Sequence, residues 1–482
     1  MPHFSKWGIV FWGIPMSPDF ESDTIAALAT PPGPGALAII RVSGEKALTL
    51  CAALFSGKRS IGLTRADRYH GCMVDPDGSD AADGKTIDEV ILHTYVAPRS
   101  FTGENMVEIN CHGGLLVVER LLDLLLRHGA RLAAPGEFSK RAFINGKLDL
   151  VQAEAIADII TAHSSRGLAL SLAHLYGDMS LKIKEISNFL RESCALLELE
   201  LDFSEEVQLA DRTQLELRLD AAAEELRSVL AGYHYGQLLR EGARVVLAGK
   251  VNVGKSTLMN RLLQHDRAIV SSLPGTTRDT LEEGLKLSGY LFRLTDTAGI
   301  RAAADEIERE GVARTMAAIA SADLLLLLFD ASAPLDEQDR EIIELGRGRA
   351  EGTTLYLFNK SDLLPQPSRF NPPPLAPAGA LLALSGRTGE GLEELKDRMI
   401  AGIEREKPEG EGVTITRLRH HDALRRAEFH LRQARQSLAE GRSGEFIALD
   451  LRMALDAAGE LTGQVRSADL LDDIFSTFCI GK

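Results

Sequence analysis

From Asp23 to about Leu132 the chain alternates short apolar runs with turn residues. Residues 24–30, 36–42, 89–96 and 106–111 are apolar stretches of strand length, and 115–127 repeats its leucines and valines at helical spacing. This predicts a small α+β domain with one amphipathic helix. Its first two strands are separated by Thr30-Pro31-Pro32-Gly33-Pro34-Gly35, where proline and glycine forbid regular pairing. After Phe138 the texture turns to Ala, Leu, Glu and Ser, and residues 151–160, 168–199 and 215–239 predict long helices. At Arg244 the pattern switches to strand, loop and helix in turn and holds to about Ile403; Pro408, Gly410 and Gly412 then mark a break. Residues 417–440 and 445–461 are helical once more. Helical text on both sides of an α/β block is most economically an insertion: one helical domain, interrupted by a domain whose ends lie close together. The expected organisation is an extension over 1–22, an α+β domain over 23–138, a first helical part over 139–240, an inserted α/β domain over 241–404, and a second helical part with the C-terminal tail over 405–482. Within the insert, residues 365–377 form a proline-rich loop.

Composition narrows the function classes. The 482 residues suit roughly three domains at about 150 residues each, enough to bury several cores. Lys and Arg number 54 against 69 Asp and Glu, a net charge of −15, so any nucleic-acid site must be local. Aromatics at 5% are too few for a chain that binds single strands mainly by stacking. The basic stretch Arg417, Arg419, His420, His421, Arg425, Arg426, Arg432 and Arg435 reads equally as a nucleic-acid phosphate track or as a solvated helix balanced by Asp422 and Glu428. The acidic run Glu198, Glu200, Asp202, Glu205 and Glu206 would repel RNA. The longest clean apolar run, 324–329, is bracketed by Asp323 and Asp330 and falls far short of the ~18 residues a bilayer span needs. Residues 7–16 are apolar behind Lys6, but Pro15 and the lack of a small-x-small cleavage site argue against secretion. Met16 is the expected start, with 1–15 an upstream extension. Five scattered cysteines (Cys51, Cys72, Cys111, Cys194, Cys479), never in a CxxC pair, point to a reducing compartment. One lysine and no arginine among the first 40 residues disfavour mitochondrial import, so a cytoplasmic location is expected.

The sharpest chemistry lies in the insert. Gly249-Lys250-Val251-Asn252-Val253-Gly254-Lys255-Ser256 fits G-x-x-x-x-G-K-[ST], preceded by a strand over 244–248 and followed by a helix over 257–264. Backbone amides of such a loop close around phosphates, Lys255 reaches the outer phosphates, and Ser256 offers a hydroxyl to Mg2+. A second strand over 291–295 runs into Asp296-Thr297-Ala298-Gly299, a carboxylate for the magnesium shell and an amide where a γ-phosphate would be. A third over 355–358 ends in Asn359-Lys360-Ser361-Asp362. A carboxylate there can accept both the N1 and the exocyclic amine protons of guanine, so GTP is favoured over ATP. A fourth over 381–384 ends in Ser385-Gly386-Arg387, placed to back the base. Between the loop and Asp296, Pro274-Gly275-Thr276-Thr277-Arg278-Asp279 reads as a switch, in which Thr277 caps Mg2+ when a γ-phosphate holds the segment closed, and Ser271-Ser272-Leu273 before it join the candidate nucleotide set. Ile300 occupies the place of a water-orienting glutamine. The candidate nucleotide set therefore runs from Asn252, Val253, Gly254, Lys255, Ser256 and Thr257 through these segments to Arg387.

The Gly275-Thr276-Thr277-Arg278-Asp279 switch, Asn252 and Ile300 resemble the GTPases related to TrmE and Era. Outside the insert, Asp23 to Gly33, Ser100-Phe101-Thr102-Gly103-Glu104, Pro135-Gly136-Glu137-Phe138 with Arg141-Ala142-Phe143, Lys147-Leu148-Asp149-Leu150 with Gln152-Ala153-Glu154-Ala155, and Phe478-Cys479-Ile480-Gly481-Lys482 resemble the MnmE/TrmE family of tRNA modification GTPases from about Asp23 to Lys482. That resemblance implies a multi-domain fold: a folate-binding and dimerising α+β N-terminal domain, a split all-α domain and an inserted α/β P-loop G domain. It implies a homodimer that forms a heterotetramer with MnmG, an FAD- and NADH-dependent partner. Together they add a carboxymethylaminomethyl-type group to C5 of the wobble uridine of certain tRNAs, with a one-carbon unit from 5-formyl- or 5,10-methylene-tetrahydrofolate. It also implies K+-activated hydrolysis, with Asn252, Ser271, the Leu273 carbonyl and Thr276 as K+ ligands and Glu308 positioning the attacking water. Folate would be held by Arg41, Glu108, Lys147 and Lys482, and Cys479 would act close to it, in chemistry or in positioning. Ser271 stands where threonine is expected, Gly386 where alanine is, and Ala36-Leu37-Ala38 departs from a more glycine-rich stretch. Two rival classes are an RNA-binding ribosome-assembly GTPase, which would want a KH-like module after the G domain, and a plain folate-dependent aminomethyltransferase, which leaves the GTPase motifs unexplained.

Overall fold

The N-terminal apolar runs pair into a seven-stranded sheet in the computed structural model, which describes residues 23–77, 85–202, 212–268, 282–296, 308–350, 352–364, 380–408, 413–465 and 468–482. The chain forms two compact units, one of residues up to Ala153 together with those from Arg466 onward, the other from Glu154 to Val465.

In the first unit the strands are β1 (Thr24–Leu28), β2 (Leu37–Ser43), β3 (Phe55–Gly57), β4 (Asp67–Val74), β5 (Thr86–Tyr95), β6 (Met106–His112) and β7 (Ala130–Leu132), ordered β3-β4-β5-β6-β2-β1-β7. All neighbours are antiparallel except β1 and β7. Helix Leu115–Arg127 buries Val118, Leu121, Leu124 and Leu125, the i, i+3, i+6, i+7 stripe, against Ile40, Leu92 and Ile109 of the sheet. A further helix, Ala47–Ala53, corrects the expectation of a single one before Leu132, and Glu137–Ile144 follows where the helical text begins. Strands β3, β4 and β7 were not foreseen, because their half-exposed residues carry no clear period. The C-terminal helix Ala468–Ser476 brings Phe475 against Phe143 and Phe478, with ring centroids 6.4 and 5.3 Å apart. The last residues then lie along β1. Gly481 has φ +91°, and a Cβ there would come within 2.2 Å of the Leu28 carbonyl oxygen, so only glycine allows this approach. Arg141, buried in helix Glu137–Ile144, bonds to Asp23, Glu104 and Glu137, and Arg131 bonds to Asp23 and Glu137. Burial opposes ionisation of Glu137, but its bonds to Arg131 and Arg141 hold its pKa below the usual range.

The second unit contains the helical text and the inserted sheet. Residues 168–199 are not one helix: Ser165–Tyr176 ends at Gly177, whose left-handed φ of 98° caps it, and Asp178–Asp202 begins anew. The run 215–239 likewise divides into Arg212–Ala231 and Tyr233–Glu241 at Gly232. Helices Leu150–Thr161, Leu418–Ala439 and Gly444–Thr462 lie where the periodicity places them. The sheet comprises β8 (Ala243–Gly249), β9 (Arg267–Ala268), β10 (Glu282–Leu287), β11 (Tyr290–Asp296), β12 (Leu324–Asp330), β13 (Thr354–Asn359) and β14 (Leu381–Ala383), ordered β14-β13-β12-β8-β11-β10-β9. Strands β14 to β11 are parallel and the last two antiparallel, so this is an α/β P-loop sheet inserted in a split helical domain. Residues 324–329 are fully buried on β12, as a central parallel strand demands.

The connections into and out of the insert run side by side. A Cβ on Gly236 would lie 2.1 Å from the Ile415 carbonyl oxygen, and Asp158 accepts from Arg240 at 3.0 Å and Arg417 at 2.7 Å. The β10–β11 turn is held by Arg166: its guanidinium lies 4.1 Å from the Tyr290 ring centroid and donates to the Tyr290 hydroxyl at 2.7 Å and the Ser288 carbonyl at 3.3 Å. Much of the basic stretch takes part in internal pairing, although Arg426, Arg432 and Arg435 stay exposed beside their partners. Arg419 and His420 bond to buried Glu154 at 2.8 and 2.6 Å; Arg426 pairs with Glu460, Arg432 with Glu428 and Arg435 with Asp220. Burial pulls the His420 pKa down against the opposing pull of Glu154. Among the described residues no helix is long and apolar enough to cross a membrane.

Candidate functional site

The order of the inserted sheet reverses at β8, with β11 on one side and β12 on the other. In such sheets ligands sit at the carboxyl ends of the strands, at this switch point. Every described nucleotide candidate lies there. The turn after β8 passes through Asn252, with φ 66°, into Gly254 and helix Lys255–Asp266, whose N-terminal amides face the loop. The Lys255 ammonium donates to the carbonyls of Gly249 at 2.9 Å and Lys250 at 2.7 Å, inside the curl of the loop. Ser256 and Thr257 open the same helix and are exposed, as is Asn252, while Val253 is buried. Asp296 ends β11 beside Leu247 of β8.

Asn359, at the end of β13, is a strut. Its amide donates to the Val253 carbonyl at 2.8 Å and its oxygen accepts from the Gly386 amide at 2.8 Å, tying the phosphate loop to the loop after β14. Lys360 follows in left-handed conformation with its ammonium 2.6 Å from Asp330 at the end of β12. Burial opposes the Asp330 charge, but the bonds from Lys360 and Ser332 hold its pKa low. The Ser385 hydroxyl donates to Asp362 at 2.6 Å and accepts from the Thr388 amide at 3.1 Å, which fixes one carboxylate oxygen. Arg387 is exposed. A Cβ on Gly386 would meet the Leu258 backbone at 3.3 Å, so glycine here lets the two loops close without displacement. The segment Ser271, Ser272, Leu273, Pro274, Gly275, Thr276 and Thr277, together with Thr297, Ala298, Gly299 and the side chain of Glu308, lies outside the described residues.

A second constellation sits on the N-terminal sheet. Arg41 of β2 and Glu108 of β6 are direct cross-strand partners and bond at 2.8 Å. The other Glu108 oxygen accepts from the Tyr95 hydroxyl at 3.3 Å, and the Arg41 guanidinium lies 5.1 Å from the Phe101 ring centroid and 5.7 Å from that of Phe138. Arg41 also donates to the Gly481 carbonyl at 3.4 Å, so the tail closes this end of the site. The Lys482 carbonyl accepts from the Phe138 amide at 3.1 Å, and burial, then the Arg41 charge, lower the pKa of its ammonium, against Cys479 and Glu108. Cys479 is exposed, and its carbonyl accepts from the Gly136 amide at 3.4 Å. Lys147 is exposed and donates to Pro98 at 3.1 Å, in the segment that carries Phe101. The structure thus groups Arg41, Glu108 and Lys482 closely, with Lys147 at the edge. Sequence reasoning had not assigned Tyr95 or Asp330. Asp330 was findable, since it ends an apolar strand as Asp296 and Asn359 do.

Residues 150–479 match the family model described as MnmE helical domain, and residues 24–147 that of the GTP-binding protein TrmE N-terminus. The chain is similar to the tRNA modification GTPase MnmE of Moorella thermoacetica, 45% identical over 470 residues, covering 95% of this chain and 99% of that protein. It is 42% identical over 466 residues to the MnmE of Geotalea uraniireducens, covering 96% and 100%. Among solved structures, that of Era with MgGDPNP and a 16S ribosomal RNA fragment is 25% identical over 39% of this chain and 66% of its own, with a TM-score of 0.27. On the family models and the near-full-length identities, the chain belongs to the MnmE family of tRNA modification GTPases.

Proposed function

We propose that this protein hydrolyses GTP under K+ activation and, as a homodimer with an FAD- and NADH-dependent partner of the MnmG kind, installs a carboxymethylaminomethyl-type group on C5 of the wobble uridine of certain tRNAs in the cytoplasm. The observation that carries the nucleotide half is the strand-end array: Lys255, Asp296, Asn359 and Asp362 stand at the ends of three parallel strands or on the loops after them, with Asn359 tying the phosphate loop to the loop after β14. In this reading the loop amides and Lys255 bind the β- and γ-phosphates, and Asp362 reads guanine. Ser256 and Thr257 are exposed at the helix start, and Asp296 stands on the neighbouring strand, so oxygen donors suited to Mg2+ are present. Ser256 and Thr277 are the proposed Mg2+ ligands. Asn252, turned outward in its left-handed conformation, is the described member of the K+ set Asn252, Ser271, Leu273 and Thr276. A cation there supplies positive charge to the β/γ-phosphate oxygens. Glu308 orients water.

For the folate half, Arg41, Lys147 and Lys482 supply cations for an anionic ligand, and Glu108 a carboxylate for pterin donors. Phe101 and Phe138 line the same place with apolar faces. A tetrahydrofolate derivative bound there would supply the one-carbon unit, with Cys479 beside it.

K+ activation has a direct test. At equal ionic strength the GTP turnover rate is expected to rise at least about tenfold in KCl over NaCl, the scale of a charge supplied at the transferring phosphate. Equal rates in the two salts would remove the K+ assignment while leaving the GTPase in place. The modification itself is tested on the C5 substituent of tRNA wobble uridines.

A further inference from the structure

We propose that Lys250 is a positioning residue of the GTPase site. It bolts the phosphate loop to the first turn of helix Glu337–Glu344, so that its own carbonyl holds the Lys255 ammonium in place. The proposal rests on the reading of residues 249–256 as the phosphate loop. Its geometry joins Lys250 to two carboxylates that lie far from it in sequence. The Lys250 ammonium lies 2.7 Å from an Asp336 oxygen and 2.8 Å from an Asp339 oxygen. These two carboxylates are fixed by the helix itself, in a reciprocal capping box: the Asp339 amide donates to Asp336 and the Asp336 amide to Asp339, each at 3.1 Å. Lys250 therefore meets anchors that are already set.

A two-point anchor forfeits the rotamer entropy that a solvated surface lysine keeps. The return is visible at Asp339, which is 3% exposed and whose second oxygen has no hydrogen-bond partner among the described residues. Its charge is met by Lys250, and a buried carboxylate left without its cation would be costly. At the other end of the residue, the Lys250 carbonyl accepts from the Lys255 ammonium at 2.7 Å. One residue thus connects the helix after β12 to the lysine expected at the outer phosphates, and two positions later Asn252 takes its left-handed turn. The same ammonium offsets one of the two negative charges that would otherwise repel a nucleoside triphosphate from the loop.

Positioning and charge screening separate in an experiment on the full-length protein, with steady-state GTP hydrolysis and binding of a fluorescent GTP analogue as readouts. Lys250→Met is expected to lower kcat by about ten- to hundredfold, the cost of misplacing a reacting group by a fraction of an ångström to an ångström. It should also weaken analogue binding. Lys250→Arg, which keeps two donors for the two carboxylates, should recover most of kcat. The triple variant Lys250→Met/Asp336→Asn/Asp339→Asn removes the repulsion with the bolt, and should regain binding while kcat stays low. A wild-type kcat in Lys250→Met, or a triple variant that regains kcat along with binding, would overturn the proposal. If Lys250→Met does not fold, Asp336→Asn, at the exposed anchor, carries the test. A severalfold lower kcat at an unchanged melting temperature supports the bolt, and a wild-type kcat overturns it. Failure of the unaltered protein to bind the analogue would instead overturn the phosphate-loop reading.

Discussion

Asp362→Asn is expected to invert the base preference of the nucleotide site, weakening GTP by about two orders of magnitude or more and giving XTP the advantage. A carboxylate presents two acceptors to the N1–H and exocyclic N–H of guanine, and each charge-assisted bond is worth about 1.5–3 kcal/mol. A carboxamide replaces one acceptor with a donor, which faces the guanine amine badly and the C2 carbonyl of xanthine well. The Ser385 hydroxyl that holds Asp362 at 2.6 Å can donate equally to the amide oxygen, so the side chain keeps its place. Competition between GTP and XTP for the fluorescent analogue measures the ratio. An unchanged ratio would mean that Asp362 does not read the base.

The second large effect is at the other constellation. Arg41→Ala is expected to weaken binding of 5-formyl-tetrahydrofolate by about ten- to a hundredfold, the worth of one charged hydrogen-bonding group, while GTP turnover stays at its wild-type value. The two readouts should separate because Arg41 belongs to the N-terminal unit and the strand-end array to the other. Arg41 also props Glu108 and touches the Gly481 carbonyl, so its loss could act through the tail alone. Gly481→Ala separates these causes. It displaces the tail through its clash with Leu28 but leaves the Arg41–Glu108 pair on adjacent strands. A weaker loss of folate in Gly481→Ala than in Arg41→Ala assigns direct contact to Arg41, and unchanged folate affinity in Arg41→Ala would remove it from the site.

What the sequence revealed of all this depended on how far apart the cooperating residues lie. The phosphate loop is contiguous and needs a strand before it and a helix after it, so residues 244–264 declared themselves, and the strand ends at Asp296, Asn359 and Ser385 followed from apolar runs of strand length. Helix breaks did not. Gly177 ends a helix by adopting φ 98°, and nothing in the apolar period of 168–199 distinguishes it from a tolerated interior glycine. Pairings across the chain were equally hidden. Arg417 and Arg419 look like free cations until the fold places Asp158 and Glu154 beside them, and Lys250 looks like an ordinary loop residue until Asp336 arrives. Arg41 and Glu108 became a unit only through the β2–β6 register. Their family assignment singled them out, but the cross-strand bond, the Tyr95 hydroxyl on the second Glu108 oxygen and the tail carbonyl on Arg41 are products of tertiary structure.

In the proposed function, GTP hydrolysis by this chain serves the modification of tRNA. The most direct test of this is to digest total tRNA from cells lacking the gene, with and without a plasmid copy, and to quantify the wobble-uridine nucleosides by mass spectrometry. The C5 aminomethyl-type group is expected to disappear with the gene and to return with the plasmid. An unchanged nucleoside profile in the cells lacking the gene would contradict it, leaving a GTPase whose output lies elsewhere, with ribosome assembly as the reading to pursue.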